Sequence, residues 1–282
     1  MLDSAQQSMR RVFDNVAEDF DTQDFFCAEI RERLSERLDL ITLEPDNIVD
    51  LGTATGRAFD QLQLRFPDSR VIELDWSLNM LDCGTRSERD RVCADAHQLP
   101  FADASIDIIF SNLLLPGCAD PEQIFSEARR VLRHPGLFLF STLGPDTLKQ
   151  IQRAWATVDD FAHVTKQADM HNVGDALVKA GFRDPVMDVE MLTINYRDVS
   201  KLITDLRAAG AVNRAANRNP GLTTPRQWQR FSANLDQQET GRFSVNFEVV
   251  CGQAWTGPDD TGVQMEDGVA HFPLSRLRQF RG

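Results

Sequence analysis

The chain contains no apolar run approaching the ~20 residues needed to cross a bilayer, so a membrane-spanning helix is excluded as its organising element. Cysteine is scarce: Cys27, Cys83, Cys93, Cys118 and Cys251 are odd in number, scattered, and never form a CxxC pair. That argues against a disulfide framework or a thiolate zinc site and fits a reducing compartment. Positive charge is also in deficit, with 30 Lys and Arg against 43 Asp and Glu and a net charge of −13. Such a surface has no bulk attraction for nucleic acid or an anionic membrane. The first twenty residues mix acids with bases and match neither a signal nor a transit peptide, so the expected location is the cytoplasm. Several motifs are missing too. There is no G-x-G-x-x-G spacing, which disfavours a dinucleotide, and no Gly-Lys-Ser/Thr after a glycine loop, which excludes a P-loop. Serine-hydrolase chemistry lacks its G-x-S-x-G, and no cluster of His and carboxylates suggests a metal.

What the chain does contain is centred on Asn47-Ile48-Val49-Asp50-Leu51-Gly52-Thr53-Ala54-Thr55-Gly56. A short run with Val and Ile predicts a buried strand, and the glycine-punctuated turn after Asp50 leads into helical spacing from Arg57. Strand, turn and helix in that order present backbone N–H groups and a helix N-terminus to a nucleotide-like ligand. Residues 9–41 have helical periodicity (Phe13, Val16, Phe20, then Ile30, Leu34, Leu38, Ile41), predicting two amphipathic helices closed by Pro45.

From 47 to about 143 strands alternate with helices. Strands are expected at 47–51, 70–75, 91–95, 106–110 and 136–142, and helices at about 56–65, from Ser77 as N-cap, and at 121–133 after Asp120-Pro121. His134-Pro135-Gly136 reads as the terminator of the last. Such alternation implies a parallel sheet with right-handed crossovers. Beyond Gly144-Pro145 helices are expected at 146–156, 170–180 and 198–209, and a strand at 186–195. The period-2 pattern of Phe243, Val245, Phe247 and Val249 suits an antiparallel edge strand. No linker interrupts the chain, so one domain is expected over 1–282: a helical cap at 1–45, a cofactor half at 46–145, a substrate half at 146–257 and a peripheral tail at 258–282.

Acids follow three successive strands, at Asp50, Asp75 and Asp95. In an open α/β sheet ligands sit outside the carboxyl ends of the strands. An acid after the second strand can accept both ribose hydroxyls of a nucleoside, with Trp76 as an apolar wall. Asp95 with Ala96 can read an adenine amino group, and Asp50 can orient the turn near a cationic end. Each acid alone is as readily a helix cap; three in order point to a nucleoside.

The motifs DLGTATG, ELDWSLNML, ADAHQLPF, SNLLLPGCADPEQIF and RRVLRHPGLFLFSTLGPDTL resemble class I S-adenosylmethionine-dependent methyltransferases. FSTLGPDTLKQIQRAWATVD, DMHNVGDALVKAGFRDPVMDVE and NFEVVCGQAW are more specific, and resemble the malonyl-[acyl-carrier-protein] O-methyltransferase family over about residues 9–257. The resemblance implies a Rossmann-like, doubly wound, mostly parallel seven-stranded sheet with N-terminal helices and a helical lid insertion. It implies S-adenosylmethionine as cofactor, S-adenosylhomocysteine as product and no metal. The cofactor residues it implies are Asp50, Gly52, Thr53, Gly56, Asp75, Trp76, Met80, Asp95, Ala96, Asn112 and Leu113. The activity implied is esterification of the free carboxylate of a malonyl thioester on acyl-carrier protein, early in biotin synthesis.

Residues 206–235 carry Arg207, Arg214, Arg218, Arg226 and Arg230 and no acid, a solvated face or a dock for the acidic carrier. Arg207 and Arg214 are the candidates for binding the substrate carboxylate, with Phe20 and His171 as further cavity candidates. The chain departs from the family at Ala54 (usually Gly), Phe20 (usually Tyr), Gly117 (usually Trp) and Gln253 (usually His). Two readings from other classes therefore stand beside the enzyme: a non-catalytic binding protein on the same fold, and changed chemistry such as arginine hydroxylation.

Overall fold

The computed structural model describes residues 4–84, 89–208, 213–215, 217–235, 241–257, 264–266 and 269–271. The apolar runs form parallel strands β1 (Asn47–Leu51), β2 (Arg70–Asp75), β3 (Asp90–Cys93), β4 (Ile106–Ser111) and β5 (Leu132–Leu143). Two long antiparallel strands, β6 (Phe182–Tyr196) and β7 (Phe243–Thr256), complete a seven-stranded sheet ordered β3-β2-β1-β4-β5-β7-β6. The order reverses between β1 and β4, which opens a crevice at their carboxyl ends.

Both faces of the sheet are covered. Ile48, Ile108, Leu137 and Leu139 pack against Ile30 and Leu34 of α2 (Phe25–Glu36) and Leu62 of α3 (Phe59–Arg65). Val49, Leu51, Ile109, Phe138 and Phe140 pack against α5 (Pro121–Val131) and α7 (Met170–Lys179). Burial on two sides is why these strands read as apolar runs rather than alternations. Helix α1 (Ser4–Phe20) lies beside α4 (Leu78–Cys83), where Ser77 Oγ donates to Asp14 and its own oxygen accepts from the Met80 N–H. A further core joins α6 (Lys149–Trp155), α8 (Val199–Ala208) and α9 (Pro225–Ala233) to the inner end of β7 through Trp155, Leu202, Phe231 and Phe247.

Four expectations are corrected. The strand at 243–256 is not an edge: it pairs with β5 and β6, and β6 is the edge. A period-2 pattern reports a half-buried strand, not its place in the order. Helix α5 ends at Val131, and His134-Pro135-Gly136 lies inside β5, because Leu132 already pairs with Ile106 and the Gly136 N–H donates to Thr256 of β7 at 2.8 Å. Sheet pairing there overrides a local breaker. Strand β3 stops at Cys93, so Asp95 lies in the loop beyond it. Helix α9 was not anticipated, although Thr224 and Gln227 form a reciprocal capping box with Pro225 in the first turn. Of the tail, Gln264–Glu266 and Val269–His271 form a two-stranded ribbon (β8, β9), and the rest lies outside the described residues, as do 209–212 and 216 of the arginine-rich stretch.

Candidate active site

Two cavities meet at the carboxyl end of the sheet. The first, about 380 Å³, is floored by Asp50, Gly52, Thr53 and Ala54 after β1, Asp75 and Trp76 after β2, Asp95, Ala96 and His97 after β3, and Asn112 and Leu113 after β4. Phe13 and Phe20 of α1 cover it, and Asp24 and Arg31 close one end.

The turn after β1 is built from left-handed residues at alternate positions: Gly52 (φ +77), Ala54 (φ +52) and Gly56 (φ +80). Four of its amides are consumed within the protein. Gly52 and Thr53 N–H donate to the Leu74 carbonyl at 2.8 and 3.1 Å, Ala54 N–H to Asp75 Oδ2 at 3.0 Å, and Gly56 N–H to the Thr53 carbonyl at 3.0 Å. The turn therefore offers shape and carboxylates, not the free N–H groups expected of a phosphate cradle. Ala54 adopts at some steric cost what glycine adopts freely, and its methyl packs with Phe20 and Met80.

Gly56 does not line the cavity. A Cβ there would run into the Glu73 carboxylate, which is buried and paired with Arg89 at 2.7 Å and Arg91 at 3.1 Å. Met80 is likewise fully buried behind the wall. Both expected contacts are corrected to supports of the turn.

The acids are desolvated. Burial pushes Asp50 up to about 7, against a hydrogen bond from the Thr53 hydroxyl, and neighbouring Glu73 and Asp75 add to the rise. Burial also pushes Asp75 up to about 6, opposed by N–H bonds from Ser77 and Ala54. Asp95 Oδ1 accepts from the His97 backbone at 2.9 Å and faces His97 Nδ1 at 2.7 Å. Asn112 donates to the Cys27 carbonyl at 3.0 Å and accepts from Ser141 at 2.8 Å, which fixes the far wall.

The second cavity, about 400 Å³, is walled by Phe25, Phe26, Ile151, Trp155, Trp228 and Phe247. Of its polar groups, His163 Nε2 pairs with Asp159 at 2.8 Å, its ring stacked on Trp155 at 3.7 Å, and Tyr196, its phenol pushed up by burial, pairs with the Asp205 carboxylate, which adds to the rise. Met9, Phe13, Cys27, Leu113, Gly117, Thr165 and Arg214 line both cavities and form their junction.

Arg214 is the notable group there. Its backbone N–H donates to Thr165 Oγ1 at 2.8 Å, Nη1 donates to the Gly117 carbonyl, and Nε is buried with no partner among the described residues. No carboxylate lies within ion-pair distance of it among the described residues, and burial lowers its pKa. Asp24 Oδ1, His97 Nε2 and Gln23 Oε1 are also buried and partnerless, so four of the six such atoms among the described residues border these cavities. Each unmade bond costs about 1–3 kcal/mol. A ligand bearing hydroxyls, an amine and a carboxylate fits that set. Cys27 and Cys118, also at the wall, are pushed up to about 12 by burial and stay thiols.

Of the other expected residues, Phe20 is buried and covers the first cavity, and Arg207 lines only the second and is largely exposed. His171 is corrected: it is exposed in the first turn of α7 and lines neither cavity. Among the departures from the family, Ala54 and Gly117 are at the site; Gln253 is mid-β7, away from both cavities. Sequence reasoning missed Asp24, Arg31, His97 and Thr165. His97 follows the Asp95-Ala96 pair directly and could have been found; the others carry no local signal.

A methyltransferase-domain family model matches residues 49–140. The YcgJ protein of Bacillus subtilis shares the fold, with a TM-score of 0.58 at 13% identity over 80% of this chain and 98% of its own. Sheet order and crevice thus define a class I methyltransferase fold. The malonyl-[acyl-carrier protein] O-methyltransferase of Laribacter hongkongensis is 39% identical over 92% of both chains, and that of Methylovorus sp. is 40% identical over 96% of this chain and 94% of its own. The chain belongs to the malonyl-[acyl-carrier protein] O-methyltransferase family.

Proposed function

We propose that the protein methylates the free carboxylate of a malonyl thioester carried on acyl-carrier protein, in the early biotin synthesis that the family resemblance implies. S-adenosylmethionine supplies an electrophilic methyl group on a sulfonium. In the first cavity Asp75 takes the ribose hydroxyls, and Asp95 with Ala96 the adenine amino group. Asp50 and the Asp24–Arg31 pair lie toward the amino-acid end, beside Gly52 and Thr53. Trp76, Asn112 and Leu113 shape the walls, and Gly56 and Met80 hold the turn from behind.

The acceptor needs no base, because a carboxylic acid is ionised at pH 7. The chain's task is to hold the carboxylate, dry it and aim it. The observation that carries this reading is Arg214: a desolvated guanidinium with no acid partner, at the one place where both cavities meet. With Nη1 tied to Gly117, the Nε–Nη2 edge is left to take a carboxylate two-handed. Arg207, exposed and remote from the first cavity, is the weaker candidate. Cys27 and Cys118 retain their protons, so neither competes for the methyl group.

The acyl chain and its pantetheine arm occupy the second cavity, lined by α6, α8 and α9 of the substrate half at 146–257, with 1–45 as the cap. Arg207, Arg218, Arg226 and Arg230 face solvent with no carboxylate at ion-pair distance among the described residues, a surface suited to an acidic carrier.

Thermal shift tests the cofactor site. At ~100 times its dissociation constant a ligand stabilises by about 2.7 kcal/mol, so millimolar S-adenosylmethionine and S-adenosylhomocysteine should both raise the midpoint; no shift with either sinks the reading. Appearance of the methyl ester on malonyl-acyl-carrier protein then separates an active enzyme from a binding protein.

A further inference from the structure

We propose that Gly117 sets the acceptor range: it leaves room for a substituent on the carbon bearing the carboxylate, so that 2-alkylmalonyl thioesters are methylated beside malonyl ones. The inference rests on the function proposed above.

Neither backbone nor packing requires glycine at 117. Its φ is outside the left-handed region, unlike Gly52 and Gly56 in the cofactor turn. Among the described residues, a Cβ built on it meets only Met9 Cε, at 3.8 Å, an ordinary contact. The backbone itself is fixed. Leu115–Gly117 form a 3-10 turn in which the Gly117 N–H donates to Leu114 at 2.9 Å and the Cys118 N–H to Leu115 at 3.0 Å. The missing side chain therefore leaves space at a firm wall, and that space belongs to both cavities.

Its position within the site decides what it holds. The Gly117 carbonyl accepts from Arg214 Nη1, so the space adjoins the guanidinium that takes the carboxylate. An acyl group held by that guanidinium and running into the second cavity would pass Gly117 at the junction with the carbon next to its carboxylate, ahead of the thioester end. The facing wall is Met9, buried and unbranched, which yields to small changes in shape more readily than a β-branched residue. The reaction is the same for either acceptor: one carboxylate oxygen bonds to the methyl carbon, sulfur keeps the electron pair of the broken S–C bond, and no proton moves.

The test is kcat/KM for malonyl- and 2-methylmalonyl-acyl-carrier protein, measured at saturating cofactor in the native protein and in Gly117→Ala, Gly117→Val and Gly117→Leu. Taking the ratio within each variant cancels effects on the cofactor. The native ratio should lie within roughly threefold, since the substituent meets no wall. It should fall progressively along the series, by roughly 10–200-fold at leucine, the range by which one methylene discriminates in a filled pocket. A native enzyme that uses malonyl but rejects 2-methylmalonyl by ~100-fold, or a ratio constant along the series, overturns the proposal. Should the leucine variant lose its cooperative melt, the native and alanine ratios decide alone, because an alanine Cβ clashes with none of the described residues. If malonyl itself is not esterified, the function reading falls first and takes this one with it; rejection of the branched acceptor alone overturns only the role of Gly117.

Discussion

Removing the Arg214 guanidinium should separate activity from stability. Bound side-on, it would give a carboxylate two charge-assisted hydrogen bonds, each of about 1.5–3 kcal/mol, hence about 3–6 kcal/mol together. At about 1.36 kcal/mol per decade, Arg214→Ala should lower kcat/KM for malonyl-acyl-carrier protein by about 10²–10⁴-fold. Folding should hardly notice. The guanidinium has no acid partner to orphan, and losing its bond to the Gly117 carbonyl is offset by relief of a buried charge. A change of about 1 kcal/mol moves the midpoint of a chain this size by roughly 2–4 °C, and the variant should stay inside that window. Arg214→Lys keeps the charge but not the fork, and should fall between the two. The assay is transfer of labelled methyl to the carrier-bound acid, with S-adenosylhomocysteine affinity measured by calorimetry in parallel. An Arg214→Ala enzyme within about threefold of native kcat/KM would refute the assignment. So would a loss of stability and cofactor affinity large enough to account for the whole defect.

Other outcomes follow from the same geometry. Ala54→Gly relieves a left-handed alanine, worth about 1 kcal/mol of stability, and by removing a Cβ from the cavity lining should tighten S-adenosylmethionine binding; unchanged affinity by calorimetry would refute the reading that this Cβ obstructs the ligand. Asp50 and Asp75 sit at about 7 and about 6, above the ordinary 3.8. The stability they contribute is thus complete below pH 3.8 and lost as pH rises through 6–7, whereas affinity for a cationic cofactor should increase from pH 5.5 to 7.5; calorimetry showing a flat or falling affinity would contradict this. Met80→Ala empties a fully buried site and should cost about 2–5 kcal/mol of stability by denaturant titration, with the cofactor wall disturbed only indirectly. Arg226→Glu with Arg230→Glu should raise KM for malonyl-acyl-carrier protein more than for a malonyl pantetheine thioester, an effect that shrinks in high salt; equal effects on both would remove the arginine face as a dock.

Much of the sheet was legible because its strands are buried on both faces and its helices carry caps. Asp120 with Pro121 and Ser77 before Leu78 mark the starts of α5 and α4 within a residue. Strand order was less so: nothing local in Phe243–Thr256 says that its neighbour on each side is a strand. The floor of the first cavity was readable because Asp50, Asp75 and Asp95 follow successive strands. Its roof was legible only at Phe20, and its orphans Asp24 and His97 were not. Asp24, Arg31 and Thr165 come from segments far apart in the chain, and only folding shows that of the two candidate arginines Arg214 reaches both cavities and Arg207 only the second. Gly56 and Met80 illustrate the reverse error. Both belong to the motif, yet Gly56 is glycine to clear the Glu73–Arg89–Arg91 network and Met80 packs behind Phe20. A motif position marks a constraint without saying whether ligand or neighbour imposes it.

On the roles proposed for its residues, the junction between the cavities also limits what can be alkylated. The residues assigned to the methyl donor belong to the first half of the chain, whereas the cation assigned to its target comes from the second, 97 residues beyond the carbonyl that anchors it. Arg31 and Arg57, the other arginines lining the first cavity, are each paired with an aspartate, so without Arg214 a stray acid from solvent would find no free guanidinium there. With those roles, a reagent able to alkylate indiscriminately is thus confined to the acids that one arginine can hold, and the site is complete only where both parts of the chain have folded against each other.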